Sequence, residues 1–211
     1  MGVVNKLALT VAGVPLVRRT AQTLLSAGLE EVVAVTGHEA AQVRALLGGL
    51  SLTFVENPAY ADGQMTSVHA GLAALSRPCD AVMVCLSDQP LLATDDIARL
   101  VRAFAERGRA SILVPTYGGA RGNPVVLARE HLAAILGEDR NLGCRGFIDR
   151  NPELVATVEM DTDHVVFDLD TPEDYQALLE RLAGGPAERG WSGGLRVAGW
   201  AWADEAPGGE S

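Results

Sequence analysis

The chain is constrained most by a repeated succession: short, continuously apolar runs separated by longer stretches with apolar residues at helical spacing. EVVAVTG (31–37), LTFVENP (52–58), DAVMVCLSDQP (80–90), ASILVPTY (110–117), NPVVLA (123–128), ELVATVEM (153–160) and HVVFDLD (164–170) read as strands. A strand that is apolar at successive positions is buried on both faces, whereas a half-solvated one alternates. Between them, PLVRRTAQTLLSAG (15–28), EAAQVRALLGG (39–49), MTSVHAGLAALS (65–76), TDDIARLVRAFAERG (94–108), 129–136, 142–150 and TPEDYQALLERLA (171–183) read as helices. Gly28 is placed as a C-cap, Thr94 and Thr171 as N-caps, and Pro172 at a first helical position. The pattern predicts an α/β fold: a doubly wound, mostly parallel sheet with helices on both faces.

The 211 residues suffice for one domain with a full core, placed at 1–183. The remainder, 184–211, is Gly-rich, holds all three tryptophans and reads as a disordered tail. Its run LRVAGWAWA has the alternative of forming a strand or docking on the body. A net charge of −10 with no basic stripe argues against nucleic acid as a partner, while leaving room for a single nucleotide. Cys79, Cys85 and Cys144 form no C-x-x-C pair and read as small buried residues in a reducing compartment. No apolar run approaches the ~18 residues of a membrane span, and no secretory leader pattern is present. A cytoplasmic protein with no membrane association is expected.

Ligands of open α/β sheets bind beyond the carboxyl ends of the strands. Asp88, in LSDQP, follows such a strand and is placed either to hold Mg²⁺ or to cap a helix. Asp168 and Asp170, in FDLDTPED, lie two apart, so in extended geometry both face one side, as ligands or as caps. Two acidic strand ends and a lysine from another loop can form a metal–triphosphate constellation. The glycines around Arg121 in GGARGNPVVL permit close backbone approach to a ligand, or simply a hairpin. Gly63, Thr66 and Ser67 open a helix whose N–H groups suit an anion or an ordinary cap; His69 and His38 are placed to reach the same crevice. The four histidines lack zinc-ligand spacing, no G-x-S-x-G occurs, and no G-x-G-x-x-G follows a first strand.

In their order, MGVVNKL, VAGVPLVRR, NPAYADGQMTSVHAGL, LSDQP, RGNPVVL, NLGCRGFI and DLDTPEDY resemble the nucleotidyltransferases of molybdenum cofactor biosynthesis. These are MobA-like NTP transferases of the nucleotide-diphospho-sugar transferase-like, Rossmann-type fold, and DQP and RGNPV favour the cytidylyltransferase branch. The resemblance implies CTP and the molybdopterin cofactor as partners, release of pyrophosphate, Mg²⁺ as cofactor, and a molybdenum hydroxylase as eventual recipient. It implies Lys6 and Asp88 as catalytic groups, with Asp88, Asp170 and Asp168 around the metal and Asp170 preferred to Asp168. It further implies nucleotide or substrate contacts from Gly2, Asn5, Ser67, Gln89, Arg121, Gly122 and Asn123.

The family begins with a strand and a glycine-rich loop of the form L-A-A-G-x-S-x-R-M-G, whereas this sequence begins at its M-G. The first strand, central in such sheets between 31–36 and 80–86, is therefore expected to be missing. Three explanations stand: a start placed upstream, a shortened and inactive or merely cofactor-binding chain, or another segment in the central slot, for which LRVAGWAWA (195–203) is the apolar candidate.

Overall fold

Apolar side chains at successive positions, as in residues 31–36 and 81–86, suit strands covered on both faces, and those two runs lie in the interior of the sheet. The computed structural model describes residues 6–137, 143–182 and 196–202. Thr10–Val11 (β1) and Val14–Pro15 (β2) form a small ribbon leading into Leu16–Ser26 (α1). There follow Glu31–Thr36 (β3), Ala40–Leu46 (α2), Thr53–Glu56 (β4), Gln64–Ala73 (α3), Ala81–Leu86 (β5) and Thr94–Ala105 (α4). The second half comprises Ile112–Tyr117 (β6), Ala120–Arg121 (β7), Val125–Ala128 (β8), Leu132–Leu136 (α5), Gly143–Arg150 (α6), Val155–Glu159 (β9), Pro172–Leu182 (α7) and Val197–Trp202 (β10). The main sheet has the order β4-β3-β10-β5-β8-β6-β7, with β9 on the other side of β6. Strand β8 runs antiparallel between β5 and β6, and β7 antiparallel to β6; the other pairings are parallel.

Apolar clusters cover both sheet faces. Met65, Val68, Phe147 and Ile148 bring α3 and α6 onto one, and Leu24, Ile97, Leu100 and Phe104 bring α1 and α4 onto the other. Cys79, Cys85 and Cys144 are free thiols buried in these layers, and burial pushes Cys144 up to about 12 and raises Cys79 and Cys85 as well. No described helix is long and apolar enough to cross a membrane.

Three local expectations need correction. Residues 164–170 form no strand: a 3-10 turn at Asp163–Val165 leads into an irregular segment whose backbone groups are satisfied by loops. Val165 O accepts from Asn123 N at 2.8 Å, and Leu169 N donates to Asp88 O at 3.0 Å. Helix α4 is capped by the Asp96 carboxylate, which accepts Ala93 N at 2.9 Å, instead of by Thr94. At α7, by contrast, Thr171 and Asp174 cap each other as expected, with Thr171 N donating to Asp174 Oδ2 at 2.8 Å and Asp174 N to Thr171 Oγ1 at 3.1 Å.

The third correction concerns 184–211. Within this stretch, expected to be disordered, residues 197–202 form β10 and occupy the central slot; residues 183–195 and 203–211 lie outside the described residues. Strand β10 runs parallel to both neighbours, pairing Ala198 with Glu31 through Trp202 with Val35 on one side, and Val197 with Ala81 through Trp202 with Leu86 on the other. The gap expected between β3 and β5 is thus closed. Arg196 aligns the strand at its start: Asp80 N donates to Arg196 O at 3.0 Å, and the Arg196 guanidinium lies 3.4 Å from Asp80 Oδ1. Within β10, Ala198 is fully buried, and a Cβ on Gly199 would stand 2.7 Å from Leu29 Cδ1. A larger residue at 199 would therefore require the Leu29 side chain, in the loop between α1 and β3, to move aside.

Overpacking of a dense core costs about 1–3 kcal/mol, so Gly199→Val is expected to lower the urea midpoint by that equivalent. An unchanged midpoint would contradict the central placement of β10. A second expectation concerns pH. His164 Nδ1 lies 2.7 Å from Asp96 Oδ2, and this hydrogen bond raises the imidazole above its ordinary value near 6.5, with Asp163 adding to the effect and burial and Arg181 opposing it. A raised histidine pKa contributes stability that is fully present below the unfolded value and lost as pH rises through the folded one. The stability gap between the native chain and His164→Asn, followed by thermal unfolding, should therefore be widest near pH 6 and shrink towards pH 9.

Candidate active site

The carboxyl ends of β3, β10 and β5 lie side by side, since Trp202 is level with both Val35 and Leu86. The chain leaves β5 through Ser87, Asp88 and Gln89, which places these side chains at the ligand-binding edge of the sheet. Two further segments converge there. Lys6 opens a 3-10 turn, Lys6–Ala8, anchored by Leu7, which packs with Val17, Ala21, Val43 and Leu47. The segment Asp168-Leu169-Asp170 is pinned by its middle residue: Leu169 is fully buried with Val11, Leu16, Leu91 and Leu178. Tyr175 Oη adds a tie from α7 to Thr10 O at 2.6 Å.

At the convergence, Lys6 Nζ stands 3.1 Å from Asp88 Oδ2 and 3.2 Å from Asp170 Oδ1. Lys6 and Asp88 retain 13% and 18% of their side-chain exposure, whereas Asp170 retains 59%, so the cluster is closed at its floor and open at its mouth. Partial burial makes such a pair stronger than one on the surface. Asp168 does not share Lys6; its Oδ1 accepts Gln89 Nε2 at 2.9 Å. Although Asp168 is partly open to solvent, burial of its carboxyl and the neighbouring Asp88 and Asp170 charges push its pKa up to about 6, against the Gln89 hydrogen bond and Lys6. The two acids predicted to face one side therefore have different partners, because the segment is not an extended strand.

The Val165 carbonyl joins the other motifs. It accepts both Asn123 N, at 2.8 Å, and Gln89 Nε2, at 3.0 Å. Gly122 is required beside it, because a Cβ there would collide with the Val165 carbonyl oxygen and sit 2.8 Å from its carbon. Gly122 N donates to Pro115 O at 2.8 Å. Gln89, 1% exposed, thus braces the acidic segment through Asp168 and Val165, and Asn123 N holds Val165 while Gly122 permits the close approach. Arg121, on β7, is paired with Asp149 of α6.

Ser67 is buried, 1% exposed, and its hydroxyl accepts Asn57 Nδ2 at 2.9 Å. Asn57 Nδ2 also reaches Thr66 Oγ1 at 2.8 Å, while Asn57 N donates to Thr36 O at 2.7 Å at the end of β3. The Thr66 and Ser67 hydroxyls, open on sequence grounds to an anion or to ordinary capping, both accept from Asn57 and order the loop before α3. Asn57, which has no site role in the motif pattern, is the organising residue; its signal is an amide followed by hydroxyls nine and ten residues on. His69 Nε2 is buried without a partner among the described residues, and the His38 ring stands 6.0 Å from that of Tyr60. Gly2 and Asn5 lie outside the described residues.

The donor set suits a hard divalent cation. Asp88 Oδ1 is buried and has no hydrogen-bond partner among the described residues. No group of three or more histidines, cysteines or acids among the described residues could hold a metal unaided. Mg²⁺ is commonly held by one or two carboxylates, with waters and substrate phosphates completing six oxygens. Asp88 and Asp170 supply that number, and no sulfur or imidazole ligand intervenes.

Residues 1–155 match the MobA-like NTP transferase domain. A molybdenum cofactor cytidylyltransferase of Escherichia coli is 25% identical over 151 residues, covering 71% of this chain and 74% of that protein. A Natronomonas pharaonis protein named "Probable molybdenum cofactor guanylyltransferase" is 27% identical over 198 residues, covering 87% and 92%. Among solved structures, Rv0371c of Mycobacterium tuberculosis superposes with a TM-score of 0.72 at 23% identity, over 84% of this chain and 90% of its own. The same protein has been solved with manganese, at a TM-score of 0.63 and 22% identity, over 83% and 91%. The fold is therefore that of the nucleotide-diphospho-sugar transferases, and this chain belongs to the MobA-like NTP transferase family.

Proposed function

We propose that this chain is a divalent-metal-dependent cytidylyltransferase that moves CMP from CTP onto the terminal phosphate of the molybdopterin cofactor and releases pyrophosphate. The observation that carries this reading is the Lys6–Asp88–Asp170 cluster at the carboxyl edge of the sheet. An oxygen of the pterin phosphate attacks the α-phosphorus of CTP; that P–O bond forms as the bond from the α-phosphorus to the bridging oxygen breaks, and the electron pair leaves with pyrophosphate. No protein nucleophile is required, because positioning and charge stabilisation supply the catalysis.

Mg²⁺, held by Asp88 and Asp170, would neutralise phosphate charge and orient the α-phosphate. Lys6 supplies a second positive charge from the opposite loop. Gln89 fixes the acidic segment by donating to Asp168 and to the Val165 carbonyl. The choice of CTP rests on the DQP and RGNPV elements and on the similarity to the Escherichia coli cytidylyltransferase. The Natronomonas relative makes GTP the nucleotide to test beside it.

Incubation of the full chain with molybdopterin cofactor, Mg²⁺ and either CTP or GTP should release pyrophosphate and yield the dinucleotide with CTP preferred. Losing one charge-stabilising group in such a site typically costs about 100-fold or more in turnover, so Asp88→Asn should fall by at least that factor. Cofactor retention without turnover, unchanged in Asp88→Asn, would replace this reading with a binding and delivery role. Turnover with a sugar or alcohol phosphate alone would replace the acceptor. The bracing role predicts a further outcome: Gln89→Ala should lower turnover by more than about 10-fold and also lower the urea midpoint, by the equivalent of about 1–3 kcal/mol.

A further inference from the structure

Lys6 Nζ lies 3.1 Å from Asp88 Oδ2 and 3.2 Å from Asp170 Oδ1, one oxygen from each of the two carboxylates proposed to hold the cation. We propose that Lys6 is a built-in counter-ion: its ammonium holds the metal position in the nucleotide-free protein, and the cation gains that position only when a triphosphate draws Lys6 away. The inference rests on the transferase reading for the identity of the site, but not on turnover.

Three features support it. The lysine is 13% exposed and Asp88 is 18% exposed, so the pair is screened far less than a surface ion pair. With Asp88, Asp168 and Asp170 gathered in one crevice, removal of the ammonium leaves several carboxylates with less compensation, which favours a divalent ion. Finally, Asp88 Oδ1 remains without a hydrogen-bond partner among the described residues while Oδ2 is occupied, so the lysine satisfies only part of the acceptor capacity. An ammonium and a metal ion sharing both oxygens would repel each other at contact distance. Triphosphate oxygens offer Lys6 an alternative anion and the metal its missing ligands. Metal and nucleotide binding are thereby coupled, and such coupling is reciprocal.

The test is Mn²⁺ binding to the full-length protein, read by the paramagnetic resonance signal of free Mn²⁺ at fixed pH and ionic strength. Without nucleotide, Lys6→Met is expected to bind Mn²⁺ at least 10-fold more tightly than the native chain. Lys6→Arg, which keeps the charge, should stay as weak as the native chain, and Lys6→Met combined with Asp88→Asn should lose the gain. Addition of α,β-methylene-CTP should tighten Mn²⁺ binding to the native chain by more than to Lys6→Met. Should Lys6→Met misfold, Lys6→Gln carries the same expectation, with circular dichroism as the check. Equal Mn²⁺ affinity in native and Lys6→Met proteins, or no Mn²⁺ binding to either, would overturn the proposal. If the affinities shift as expected but no nucleotide is transferred to any acceptor, the counter-ion role stands and the transferase reading fails.

Discussion

The interior of this sheet depends on β10. Strands β3 and β5 each present a row of backbone donors and acceptors towards the same slot, and β10 meets both along Val197–Trp202. A buried backbone group left unpaired costs on the order of 1–3 kcal/mol, so a vacant slot several residues long would be incompatible with a protein of ordinary stability. Gly199 lets Leu29 close over the strand, and Asp80 aligns its first residues through Arg196. The last of the described strands is thereby an interior one, and it joins β3 to β5 beneath the candidate site.

The site is assembled from loops, each anchored by apolar packing or backbone hydrogen bonding behind it. Leu7 anchors Lys6, Leu169 anchors Asp170, and the β5 exit positions Asp88. The Val165 carbonyl then links Gln89 and Asn123, so that DQP, RGNP and DLD are one connected unit. This arrangement fixes the charges of the candidate site within the protein, which is what the transferase proposed above would require. Its consequence is a set of like-charged acids held close together, with Lys6 as the compensating cation.

The longer strands and helices between residues 16 and 160 were legible because each carries its own periodicity and punctuation, whereas the two-residue strands β1, β2 and β7 are too short to show any. Asp88, Asp170 and Lys6 were legible through motif order, and the structure brings these three together. The misread and undecided stretches have a common origin. HVVFDLD has the composition of a strand, yet its hydrogen bonds go to Asp88, Gln89 and Asn123 instead of to a ladder. Ser67 was open to either an anion or an ordinary cap, and its hydroxyl accepts from Asn57, ten residues away, a contact that no local pattern announces. LRVAGWAWA was open both as part of a tail and as the apolar candidate for the empty slot, and because it is short and glycine-interrupted only its pairing with β3 and β5 decides between them.

By itself, then, the sequence determined the α/β class, the order of the elements and the residue types available for phosphate chemistry, because burial periodicity and strand-end acids are local properties. Only the tertiary structure decided that β10 fills the central slot, that Asp168 answers to Gln89, and that Asp88 and Asp170 share Lys6. Those outcomes depend on which unpaired backbone edges and which uncompensated charges meet in space, and no local stretch of sequence encodes that meeting.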